Sequence, residues 1–431
     1  MQPADTAWLL AATALVLLMT PALGFFYGGL VRSKNTLNTL MMSVSALGFV
    51  GVAWALLGYS LAFGPGGALL GGLRFAGLSG VGFEAHGTVP HLLFVAFHGS
   101  FAIITAALVS GAVVERMRFP AYLTFVVLWS LFVYAPVAHW VWGGGWLARL
   151  GALDFAGGTV VHVNAAAAAL VAAMVVGPRK DYSRQALLPH NVPFTLLGAG
   201  LLFFGWFGFN GGSALAANGT AALAFVNTLL APAATLVVWT LIDLRRTGRV
   251  TAVGAATALV VGLVAITPAA GLVSPMAALL VGGVAAFPSY LGLLWRARTR
   301  LDDSLDVVAA HGLGGTVGAL LTGVFAAKVW SSPGDGVLAG DPGQLAAQAL
   351  AVAAAAAFSG GATFLILKAI GLVLPLRAEQ RDEGLGLDVS MHGEEAYAGD
   401  EGAILILPEQ IEPARLTVLT GEPEPATGGA L

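Results

Sequence analysis

The chain has 431 residues, of which 57% are hydrophobic and only 10% charged, with a net charge of -3 and no cysteine. Soluble domains are roughly 25% charged, so the composition excludes an ordinary soluble protein and points to an integral membrane one. The missing cysteines exclude disulfides, thiolate nucleophiles and Cys-ligated metals.

Apolar runs fall near 6–30, 37–62, 89–113, 119–141, 159–177, 192–210, 220–242, 251–267, 275–295, 305–327 and 344–374. Each approaches the roughly 20 residues that cross about 30 Å of hydrocarbon, so the expected fold is all-α with eleven transmembrane helices. No Lys or Arg precedes the first run, which therefore reads as a retained span and not a signal peptide. Glycine, at 58 residues, is about twice the usual share of roughly 7% and predicts close helix packing. Loops after spans one, three, five, seven and nine carry Arg32, Lys34, Arg116, Arg118, Arg179, Lys180, Arg184, Arg245, Arg246, Arg249, Arg296, Arg298 and Arg300. The alternate loops carry only Arg74, Arg149 and Lys328, a bias that predicts an N-terminus outside and a C-terminus inside.

The fifth span opens on Asp154-Phe-Ala-Gly-Gly-Thr-Val-Val-His162, and the tenth on Asp303 with His311 again eight residues later. The two spans start from opposite sides, so this spacing predicts an inverted repeat of helices 1–5 and 6–10, with helix 11 outside it. Phe26-Tyr-Gly-Gly29 and Phe209-Asn-Gly-Gly212, closing spans one and six, agree with that division. Eight helical residues rise about 12 Å, enough to carry each histidine from a surface acid to the bilayer centre. Histidines inside hydrocarbon are costly and mark a functional site. Both are expected neutral, one nitrogen donating and the other accepting, which suits a polar neutral solute better than a metal. Phe97 and Phe101, four residues apart, with Trp142, Trp206, Phe209 and Ser213, offer an aromatic cluster with a hydroxyl, the chemistry that holds a cation.

Phe26-Tyr-Gly-Gly-Leu30, Gly58-Tyr-Ser-Leu-Ala-Phe-Gly64, Asp154 to His162, Gly205-Trp-Phe-Gly-Phe-Asn210 and His311-Gly-Leu-Gly-Gly315 resemble the ammonium transporter family (Amt/Mep, related to Rhesus proteins), bacterial Amt type. The resemblance runs from about Thr6 to Tyr397 and implies a homotrimer with one pore per subunit in the cell (inner) membrane. It implies that Trp142, Phe97 and Ser213 recruit ammonium, that Phe101 and Phe209 gate the pore, and that His162 and His311 are its twin histidines. Asp154 and Trp206 are supporting residues, Asp154 orienting loops and favouring the cation indirectly. His98 departs from the family's usual Gln and puts the polarity and pH response of the outer region in question.

The implied activity is ammonium transport: an ion recruited outside loses its proton and crosses as ammonia, with separate relay of the proton as one option. Methylammonium is a further candidate substrate. An ammonium sensor with secondary transport is the alternative. Residues 1–375 read as the membrane domain. Residues 376–431 read as a cytoplasmic regulatory tail, which the resemblance links to a PII-type signal protein. An extension from about 398 matches nothing, and its runs Ala403–Leu407 and Leu416–Leu419 suggest a short strand pair or disorder. No enzymatic activity, cofactor, metal or nucleic-acid partner is expected.

Overall fold

The computed structural model describes residues 1–397; the strand pair suggested for 403–419 lies outside them. The main helices are α1 (Pro3–Leu30), α2 (Thr36–Ala53), α3 (His91–Leu108), α4 (Phe119–Trp129), α5 (Asn164–Val176), α6 (Val192–Gly212), α7 (Gly219–Thr247), α8 (Ala252–Ile266), α9 (Pro275–Arg296), α10 (Gly314–Phe325) and α11 (Gly343–Gly371). Counting the widened turns that extend some of them, ten of these among the described residues are long and apolar enough to cross a membrane. The exception is α8, whose 15 residues rise about 22 Å. Its C-terminal half and the turns after it are buried from Val260 to Val273, so protein and not lipid surrounds it. Among the described residues the all-α expectation has one small departure, a two-residue antiparallel pair, Ala85–His86 with Val89–Pro90.

Among the described residues, four helices contain a π turn: Trp54–Gly58 after α2, Ser130–Tyr134 after α4, Gly158–Val163 before α5 and Val308–Leu313 before α10. Such turns are rare and occur often at functional sites. The last two carry His162 and His311, so the two segments that match in sequence also match in local conformation. They correct the distance argument drawn from sequence. Asp154 and Asp303 lie in non-helical chain, and helix begins only at Gly158 and Val307, so the eight steps from acid to histidine are not one helical rise.

Apolar side chains gain nothing by leaving lipid for one another, so contact distance must hold the helices together. Between α1 and α6 it is set by glycine: a Cβ on Gly198 would meet the backbone of Phe26, and one on Gly208 the backbone of Ala12. Large apolar side chains such as Phe49, Leu56, Phe204, Leu241, Leu291 and Leu365 face outward, as a bilayer requires. The chain is a multi-pass membrane protein.

The basic loops after α1, α3, α5 and α9 converge on one face, where some of their charges are buried. The Glu115 carboxylate accepts hydrogen bonds from the Arg32 backbone N–H (3.1 Å), Arg32 Nε (2.8 Å), Asn35 Nδ2 (2.8 Å) and an Arg179 guanidinium N–H. Arg179 also donates two parallel bonds of 2.8 Å to Asp302, a charge-assisted pairing with little freedom. Arg116, fully buried, donates to the carbonyls of Ala112, Gly177 and Asp302. The segment after α11 docks on this network. Arg377 pairs with Glu383 at 2.6 Å, and the Asp388 carboxylate accepts from Leu37 and Asn38 N–H at the start of α2.

Burial alone would raise the Glu115 carboxyl, but Arg179 and Arg32 outweigh it and hold it below the usual range. A carboxyl more acidic when folded than when unfolded stabilises the fold above its unfolded pKa, near 4.3, and loses that contribution as pH falls through the folded one. Thermal unfolding of the detergent-solubilised protein is therefore expected to be level from pH 6 to 8 and to weaken below about pH 4. Glu115→Ala, which strands Arg179 and Arg32, is expected to cost about 3–5 kcal/mol. An unchanged unfolding midpoint in that variant would remove the network from the stability account.

Candidate functional site

The face opposite the charge network holds a cavity of about 410 Å3. Its wall comes from α3, which presents Phe94, Phe97, His98 and Phe101 at helical spacing, from Trp142 at the end of the α4 span, and from Ser213 at the end of α6. Trp142 is fixed by its indole N–H, which donates to the Asp154 carbonyl at 2.8 Å. The Ser213 hydroxyl donates to the Phe209 carbonyl at 2.8 Å, which leaves its oxygen lone pairs free to accept. The cavity thus combines ring faces with hydroxyl oxygen, a combination that attracts a small cation.

Its floor is the stacked pair Phe101 and Phe209, with ring centroids 4.1 Å apart and planes within 25°. Phe97 leans on Phe101 at 4.9 Å. On the other side of this pair lies a chamber of only about 20 Å3, lined by Met19, Leu23, Phe26, Ile104, Leu202 and both histidines. That is room for about one molecule of water size.

The His162 and His311 rings lie 30° from parallel with their Nδ1 atoms 3.2 Å apart. One Nδ1 must donate while the other accepts, so the pair shares one proton along this line. His162 Nε2 is buried and has no partner among the described residues. A buried polar atom left without a partner is uncommon and needs an explanation; a small solute in the chamber would supply the missing bond. Trp206 stacks on His162 with centroids 5.6 Å apart, and its N–H donates to Thr267 at 2.9 Å. It therefore sits on the histidine side of the stacked phenylalanines, not with the aromatic cluster beside Trp142 in which the sequence reading grouped it.

Asp154 organises the start of the α5 span. Its Oδ1 accepts from the N–H groups of Gly157 and Gly158 at 2.8 and 2.7 Å, and its Oδ2 from Thr159 and Val160 at 2.9 and 3.0 Å. Those are the donors that the first turn of a helix leaves unpaired. Burial pushes this carboxyl up, and the four N–H groups draw it back down. With both oxygens occupied, Asp154 shapes the cavity wall and carries Trp142 without offering a free lone pair to a ligand. Asp303 does the same more weakly on the charged face, accepting from Val308 N–H at 2.7 Å.

All nine residues expected from sequence thus lie along one line: Trp142, Phe97 and Ser213 around the cavity, Phe101 and Phe209 at its floor, then Trp206, His162 and His311, with Asp154 at the side. The sequence reading missed Phe63, Phe94 and His86 in the cavity wall, and Met19, Leu23 and Leu202 in the chamber. In sequence these are ordinary apolar or loop positions. Only Phe26 carried a signal, through its Phe-Tyr-Gly-Gly motif.

Residues 7–397 match the model of a family described as the Ammonium Transporter Family. An ammonium transporter of Bacillus subtilis (strain 168) is 48% identical over 402 residues, covering 92% of this chain and 99% of that protein. The crystal structure of Saccharomyces cerevisiae Mep2 superposes with a TM-score of 0.85 at 35% identity, over 94% of each chain. A solved structure described as a sensor Amt protein gives 0.84 at 30% identity, over 90% of this chain and 98% of its own.

Proposed function

The chain belongs to the Ammonium Transporter Family, and from that premise we propose that it moves ammonium across the membrane by recruiting the ion in the aromatic cavity and passing ammonia through the histidine chamber. The observation that carries this reading is the step in size and polarity across Phe101 and Phe209. A cavity of about 410 Å3 with ring faces and a hydroxyl accommodates a cation. A chamber of about 20 Å3 between apolar side chains and neutral imidazoles cannot replace a hydration shell.

Trp142, Phe97 and Ser213 hold the ion, and thermal displacement of the Phe101–Phe209 stack admits the solute. Ammonium gives up a proton before the chamber, and ammonia then hydrogen-bonds to His162 and His311 in turn. The shared Nδ1–Nδ1 line offers the released proton a separate route between the rings. Potassium has no proton to lose, so the dry segment discriminates against it. Asp154 and Trp206 position the groups on either side of the stack.

The same reading takes α1 to α11 as eleven spans with the N-terminus outside and the cavity face outward, related by an inverted repeat of spans 1–5 and 6–10. It places homotrimers in the inner cell membrane, with residues 376–431 as a cytoplasmic regulatory tail that meets a PII-type signal protein. Docking of Glu383 and Asp388 on the loop network supports a tail that reports on the membrane domain. The second reading is a sensor whose transport is secondary, favoured by the likeness to the sensor Amt structure. Electrical recording on proteoliposomes with ammonium and potassium gradients separates them. The transporter reading expects sustained ammonium-dependent uptake with none for potassium; binding without flux favours the sensor.

A further inference from the structure

The cavity wall includes a buried imidazole on α3 to which the transport path assigns no role. His98 lies in α3 between Phe97 and Phe101 and is enclosed by rings, with centroids 4.1 Å from Phe94, 4.6 Å from Phe63, 5.5 Å from Phe97 and 6.0 Å from Trp142. Its Nδ1 lies 3.0 Å from the Phe94 carbonyl oxygen. A carbonyl only accepts, so Nδ1 carries the hydrogen, and in the neutral ring Nε2 is left with a lone pair. Nε2 has no partner among the described residues, and it is not one of the side-chain atoms sealed from the cavity.

Few other groups compete for that role. Asp154 commits both oxygens to backbone N–H groups, and Ser213 contributes a neutral oxygen at the far wall. His98 therefore supplies a strong acceptor at the point where the aromatic cluster would centre a cation. Ammonium can aim an N–H at this lone pair, whereas potassium meets it only as an undirected ion–dipole contact, so the acceptor favours ammonium before the stacked phenylalanines are reached.

Titration reverses the effect. An imidazolium at this position has no lone pair to offer and adds a positive charge beside the cation's place. Of the titratable groups around it, His86 stacks on Phe94 at 4.1 Å, and burial with His91 beside it keeps that imidazole more acidic than usual. His91 is held between the Tyr59 hydroxyl and Glu84 at 2.5 and 2.8 Å, and Asp154 faces the cavity from the α5 side with its oxygens occupied. None of these is paired to His98, so none offsets a proton on it.

We propose that the Nε2 lone pair of His98 is a hydrogen-bond acceptor for the ammonium ion in this cavity, and that protonating His98 closes the entrance to cations. The proposal rests on the reading that ammonium enters through the cavity. His98→Leu removes the acceptor and the charge, whereas His98→Gln keeps an acceptor that does not titrate. Ammonium uptake by proteoliposomes, measured from pH 3.5 to 8, is expected to show KM raised about tenfold or more in His98→Leu, the scale of a lost hydrogen bond to a charged group. The Gln variant is expected to recover most of that rise, and both variants to lose the wild type's decline on the acid side.

A readout independent of flux is the imidazole 15N spectrum of the folded wild type. It is expected to show His98 as the Nδ1–H form, with its Nε2 resonance moving on addition of ammonium chloride and not of potassium chloride. If the protein does not transport but the resonance moves, the transport reading fails and the His98 site stands. If it transports with a stationary resonance, an unchanged KM in His98→Leu and the same acid decline in His98→Gln, the proposal is overturned.

Discussion

Ammonium flux is expected to fall about 30-fold when His162 and His311 are both replaced by leucine. The estimate comes from the two hydrogen bonds that ammonia loses in transit, about 1 kcal/mol each, or about 2 kcal/mol on the barrier. Leucine preserves bulk and apolarity, so the chamber stays closed to ions and the loss reflects missing polar partners and not a wider hole. A polar non-titratable pair, His162→Asn with His311→Asn, is expected to recover part of the ammonia flux while breaking the shared Nδ1–Nδ1 line. If the proton uses that line, charge movement per ammonium drops in the Asn pair while uptake persists. Proteoliposome uptake and current, measured together against potassium, decide the matter. Unchanged flux and selectivity in the leucine pair would remove both histidines from the mechanism.

Asp154→Ala is expected to lower stability by about 4 kcal/mol, large against the 5–15 kcal/mol that keeps most domains folded. Four backbone N–H groups lose their acceptor at once. Each costs about 1–3 kcal/mol if left unpaired in a buried site, and water from the cavity can reach some of them. Asp154→Asn separates this role from that of a bare charge. It keeps one carbonyl oxygen but turns an NH2 group toward two of the donors, so it is expected to be nearly as damaging as Ala. Asp303, with fewer backbone donors, is expected to tolerate Asn at a smaller cost. Thermal unfolding of the solubilised variants measures the difference. An Asp154→Asn protein with the wild-type midpoint would show that the capping geometry contributes little.

The motif residues were legible in sequence because each carries a local demand. Asp154 precedes a helix start that needs acceptors, His162 and His311 sit at equal spacing in apolar runs, and Phe97 and Phe101 share a helix face. The buried charge network was legible only in part. Arg116 and Arg179 counted as loop charges, while their burial against Glu115 and Asp302 depends on contacts between residues 64 and 186 positions apart.

Composition and periodicity alone determined that the chain is a bundle of membrane helices, because hydrocarbon admits no other way of pairing every backbone group of a helical span. The equal spacing of the Asp–His pairs singled out two segments that share a π turn in the structure. Only the tertiary structure decided that the histidines meet through Nδ1, that Trp206 stands beyond the stacked phenylalanines, and that the cavity narrows about twentyfold in volume across them. Those outcomes depend on π turns and on glycine contacts between distant helices. Such contacts shift a ring by a few ångströms without changing the period of the sequence.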